Sequence, residues 1–129
     1  MRTLIRCMIA SAILLYSCQA ETSAQHTNML PVEFKSFLEN NSQAQLIDVR
    51  TSEEFKDGKI AKAINIDVSD ANFENLLKRL DKDKPTLVYC LRGRRSVEAA
   101  KILQKNGFKH IINLEGGIKA WQNNGLAVD

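Results

Sequence analysis

Cysteine is scarce in this chain of 129 residues: there are three, Cys7, Cys18 and Cys90. Two of them fall in the first 18 positions, so the body of the chain holds a single thiol and no internal disulfide framework. Histidine is scarcer still, and neither His26 nor His110 sits in a motif. Internal repeats and low-complexity segments are absent. The longest mainly apolar stretch is the ten residues 7–16, with Ser11 in it, too short for a permanent membrane-spanning helix. A length of 129 residues suggests one domain.

The amino-terminal segment reads as an export signal. Arg2 and Arg6 form a charged region ahead of the apolar run. Leu15-Tyr16-Ser17-Cys18 resembles a bacterial lipoprotein cleavage box, in which the cysteine becomes a lipidated amino terminus. Tyr16 is larger than the residue usual there, and cleavage after Ala20 is the alternative. Residues 1–17 are thus expected to be a signal peptide, 18–29 a polar tether and 30–129 the domain. The protein is expected to be exported, periplasmic and attached to a bacterial membrane through a lipid on Cys18. Gln19 is compatible with outer-membrane sorting. Without Arg2 and Arg6 the 18 basic residues become 16, against 15 acidic ones. A net charge of +1 gives no argument for nucleic-acid binding.

The surviving thiol has a distinctive setting. Residues 86–90, Thr-Leu-Val-Tyr-Cys, form a β-rich apolar run short enough for a buried strand. Leu91-Arg92-Gly93-Arg94-Arg95 follows, and then a helical pattern with Val97, Ala100 and Leu103 in phase and Ser96 as the expected N-cap. A thiol at a helix amino terminus faces unpaired N–H groups and the positive end of the dipole, which favour thiolate over thiol. The same N–H groups hold an anion, and the arginines attract one. A merely buried core cysteine needs neither the arginines nor the glycine.

Elsewhere, short apolar strands (45–49, 63–66, 110–114) alternate with helical stretches (30–39, 51–55, 72–80, 116–123). The pattern predicts an α/β fold with a small parallel sheet covered by helices on both faces. Ligands in such sheets lie at the carboxyl ends of the strands, where Cys90 falls.

Three stretches resemble the motifs of rhodanese domains, in the right order and across residues 30–125. Leu46-Ile47-Asp48-Val49-Arg50 through Phe55, with Gly58-Lys59-Ile60 and Ala63 to Ile66, resembles the opening motif. Val88-Tyr89-Cys90 with Gly93, Arg95 and Ser96 looks like the active-site loop, and Gly107-Phe108 with Asn113 to Trp121 resembles the closing motif. Lys59 departs from the family's usual histidine. The resemblance implies a sulfurtransferase that moves a sulfane sulfur from thiosulfate, a polysulfide or a persulfide to cyanide, a thiol or a protein acceptor. Cys90 would be the nucleophile and carrier. The backbone of Leu91, Arg92, Gly93, Arg94, Arg95 and Ser96 would cradle the donor, Arg95 would pair with it, and Arg92 and Arg94 would steer it. No metal or organic cofactor is implied. Asp48 and Arg50 are expected to be structural, with Arg50 paired to Glu54. Trp121 is expected in the core.

Two rivals stand beside this. Cysteine phosphatases and arsenate reductases use a Cys-x5-Arg loop, but here Arg95 falls at Cys-x4 and Ser96 at Cys-x5. A non-enzymatic persulfide carrier or partner-binding module is the other, although Cys90 and its cationic loop argue against a dead site.

Overall fold

The computed structural model describes residues 26–129. Five strands form one sheet in the order β1-β5-β4-β2-β3, all parallel: β1 (Thr27–Met29), β2 (Gln45–Asp48), β3 (Ile64–Asn65), β4 (Thr86–Tyr89) and β5 (Ile111–Leu114). The helices are α1 (Pro31–Asn40), α2 (Ser52–Lys56), α3 (Phe73–Leu76), α4 (Arg94–Lys105) and α5 (Gly117–Asn123).

The central strand β4 is buried at every residue. Its alternating side chains feed two separate cores. On one face Val88 joins Ile47, Phe73, Leu77, Ala99, Ala100 and Leu103. On the other, Leu87 and Tyr89 join Phe34, Leu46, Ile118 and Trp121. This is why β4 reads as an unbroken apolar run rather than an alternating one. Trp121 packs edge-on against Phe34 with ring centroids 6.4 Å apart, and its indole N–H donates to the Ala127 carbonyl at 2.9 Å. Burying side chains of this size contributes about 1.5–3 kcal/mol each, so the two layers hold the sheet from both sides.

Three local expectations need correcting. The polar stretch 18–29 does not run unbroken to the domain, because Thr27–Met29 pair with Ile112–Leu114 as an edge strand. The helix expected over 72–80 is four residues of α-helix followed by a 3-10 turn, Leu77–Arg79, although Phe73 and Leu77 still face the core. Ser96 is not the N-cap of α4. Gly93 is, at φ 97, which starts the helix earlier and turns Ser96 inward, fully buried. Cys18 and the expected cleavage site lie outside the described residues.

Candidate functional site

Cys90 follows directly on β4, at the carboxyl end of the sheet, and is 1% exposed. The chain then curls back over the sulfur. The Gly93 N–H donates to Sγ at 3.0 Å, and the Ser96 hydroxyl lies 3.4 Å from it. As a thiol, Cys90 donates to Ser96 Oγ; as a thiolate, it accepts from that hydroxyl. Burial pushes the thiol up. The Ser96 hydroxyl and the N–H groups of Ser96, Gly93 and Arg92 outweigh burial and bring the group below its ordinary value. The left-handed conformation at Gly93 aims its N–H at the sulfur, and glycine adopts it without a Cβ penalty.

A second support for the loop comes from the start of α5. Ile118 N–H donates to the Cys90 carbonyl at 2.9 Å, and Lys119 N–H to the Leu91 carbonyl at 3.1 Å. The close approach requires Gly117, at φ +65. A Cβ there would sit 2.5 Å from the carbonyl carbon and oxygen of Leu91 and 2.6 Å from the oxygen of Cys90. The glycine pair at 116–117 was visible in the sequence as part of the closing motif, but nothing in its spacing revealed which backbone it would meet.

The ion pairs around the loop differ from those expected. Arg50 does not pair with Glu54. Its Nε lies 3.0 Å from Asp48 Oδ1 and its Nη2 2.6 Å from Oδ2, while Nη2 also donates to the Gly58 carbonyl at 2.6 Å. Asp48 is 0% and Arg50 4% exposed. Burial alone would lower the Arg50 pKa, and the bond to Asp48 reverses the direction. Asn65 Nδ2 donates to the carbonyls of both residues, fixing the end of β2. Both side chains are spent on each other and on the backbone around the end of β2, and the carboxylate partner of Arg50 differs from the one expected.

Glu54 is taken instead by Arg95. The guanidinium grips the carboxylate with both nitrogens, at 2.8 Å each. Arg95, expected to meet the sulfur donor, is thereby committed to a protein carboxylate. Glu54 also accepts from Thr51 N at 3.1 Å and Thr51 Oγ1 at 3.0 Å, closing the capping box of α2. Arg95, then Thr51, holds the Glu54 carboxyl down at about 2. Arg92 and Arg94 are exposed at the loop and form no ion pair among the described residues. Glu115 and His110 are also exposed. Among the described residues no cluster of His, Cys, Asp and Glu has metal-binding geometry.

A parallel α/β domain whose buried thiol, the only one among the described residues, meets main-chain N–H groups at the carboxyl edge of its sheet defines a class: a cysteine site whose surroundings favour the thiolate form. Residues 30–124 match the rhodanese-like domain, and the chain belongs to that family. The YqhL protein of Bacillus subtilis is 36% identical over 121 residues, 94% of each chain. The putative sulfurtransferase YtwF of the same organism is 39% identical over 88 residues, 68% of this chain and 82% of its own length. Among solved structures, the polysulfide-sulfur transferase homodimer of Wolinella succinogenes superposes with a TM-score of 0.69 at 33% identity, over 83% of this chain and 80% of that one. Sulfur transfer is therefore the class of chemistry to which the chain is related.

Proposed function

We propose that the protein accepts a sulfane sulfur on Cys90 from thiosulfate or a polysulfide and passes it to a thiophilic acceptor. The observation that carries this is the Cys90 environment: a sulfur contacted by the Gly93 N–H and the Ser96 hydroxyl, and more acidic than an ordinary thiol despite its burial. With thiosulfate, the Cys90 thiolate attacks the outer sulfur. The S–S bond of the donor breaks, sulfite leaves with the electron pair, and Cys90 keeps the sulfur as a persulfide anion. Cyanide or a thiolate then attacks that outer sulfur, forming thiocyanate or a new persulfide and returning the Cys90 thiolate. No net oxidant is consumed. The N–H groups that stabilise the thiolate also face the persulfide anion. Arg92 and Arg94 raise the local concentration of anionic donors.

The experiment is a donor panel of thiosulfate, polysulfide and a small persulfide, read by sulfite release and thiocyanate formation, with an aryl phosphate as control. Turnover of at least one sulfur donor, lost in Cys90→Ser, is expected. Aryl phosphate hydrolysis without sulfur transfer would overturn the assignment.

Export and lipid attachment through Cys18 belong to the same proposal. They are supported by Arg2 and Arg6, the apolar run at 7–16 and the Ser17-Cys18 junction. Radiolabelled palmitate should enter the protein in a bacterial host and fail to enter Cys18→Ala; equal labelling of both would remove the anchor.

A further inference from the structure

The first turn of α4 carries two arginines, Arg94 and Arg95, and no acidic residue. Cations at the positive end of a helix dipole are disfavoured. The side chain that answers Arg95 comes from α2, 41 residues earlier: Glu54, which Thr51 fixes through its own hydroxyl and N–H. Arg95 lies between Gly93 and Ser96, the two residues in contact with the Cys90 sulfur. A bidentate grip at this point ties the sulfur-binding turn to the start of α2, which follows the end of β2 locked by Asp48, Arg50 and Asn65. The start of α5 holds the loop as well, through the Cys90 and Leu91 carbonyls.

We propose that Glu54 is a positioning residue of the sulfur site, acting through Arg95 to hold the turn that solvates the Cys90 thiolate. This rests on the sulfur-transfer assignment but is tested without a sulfur donor. Iodoacetamide alkylation of Cys90 in the full chain, followed against pH, reads the thiolate directly.

Two effects oppose each other in Glu54→Gln. Removing a negative charge near Cys90 favours the thiolate and would lower the alkylation midpoint. Loosening the turn weakens the donors to sulfur and raises it. Positioning predicts a rise of about 0.5 pH or more, hence roughly threefold or greater slowing of alkylation below the midpoint. Glu53→Gln, an exposed neighbour with the same charge change, should show no rise. Thr51→Val alters no charge and removes only the hydroxyl bond to Glu54, leaving the residue 51 N–H and Arg95 on the carboxylate, so it should raise the midpoint by a smaller amount and keeps the test open should Glu54→Gln fail to fold. Glu54→Asp should recover part of the rate. An unchanged or lowered midpoint in Glu54→Gln, or in Thr51→Val where the former does not fold, would overturn the proposal. The expected midpoint shifts alongside absent sulfur transfer in the native protein would instead count against the transferase assignment and leave the positioning role standing.

Discussion

Gly117→Ala should damage the protein in two distinguishable ways. Gly117 is left-handed at φ +65, and a non-glycine residue there costs about 1–2 kcal/mol. The new methyl would also stand 2.5 Å from the Leu91 carbonyl, a contact with backbone that no rotamer change relieves. Overpacking of that kind adds about 1–3 kcal/mol. The total, roughly 2–5 kcal/mol, is a large part of the 5–15 kcal/mol typical of a small domain. Gly125 separates the terms: its φ is +73, and a Cβ there meets nothing within 4 Å. Gly125→Ala should therefore cost only the backbone part, about 1–2 kcal/mol. Urea unfolding of the two variants measures the difference. Because the added methyl presses on the Cys90–Leu91 segment, Gly117→Ala should also slow Cys90 alkylation in its folded fraction, and Gly125→Ala should not. A cost below about 1 kcal/mol for Gly117→Ala would refute the close approach. So would equal costs for the two variants.

Other outcomes follow from the same geometry. Ser96→Ala removes a hydrogen bond to a developing anion, worth about 1.5 kcal/mol at the low end, so the Cys90 alkylation midpoint should rise by about 1 pH; an unmoved midpoint would take the hydroxyl out of the site. Asp48→Ala leaves the buried Arg50 guanidinium without its counter-charge and should cost about 3–5 kcal/mol in urea unfolding, much more than the Asp48→Ala/Arg50→Met double variant. Glu54 titrates at about 2 in the fold against 4.5 ordinarily, so between those values the unfolded chain binds more protons. Stability from this group is complete above pH 4.5 and drains away as pH falls toward 2; Glu54→Gln should flatten that part of the acid-unfolding curve. The Cys90 thiol is likewise depressed, so donor turnover should rise with pH and level off at a lower pH than an unperturbed thiol would give.

Much of this was legible in the sequence because the informative signals are local. A buried apolar strand, a cysteine, a glycine and a helical phase lie within residues 86–103, and burial on both faces of β4 follows from its unbroken apolar run. What escaped is what tertiary contact decides. Glu54 and Arg95 are 41 residues apart, and sequence offers Glu54 several cations of equal claim, so Arg50 was the natural choice. Arg50 instead folds back on Asp48, two residues away, where the close-lying carboxylate is buried with it. The start of α4 was misplaced because Ser96 is a strong N-cap type, whereas the chain begins the helix at a left-handed glycine and spends the hydroxyl on sulfur. The edge strand Thr27–Met29 has three polar-to-apolar residues, too few to show a period of two; its partner β5 defines it.

Whether Cys90 carries a transferable sulfur is decided by the mass of the peptide that bears it. After treatment with thiosulfate and removal of excess donor, that peptide is predicted to gain about 32 Da, one sulfur atom as persulfide, and to lose it on adding cyanide as thiocyanate appears in equal amount. A peptide whose mass is unchanged by thiosulfate, polysulfide and persulfide donors alike would contradict the account.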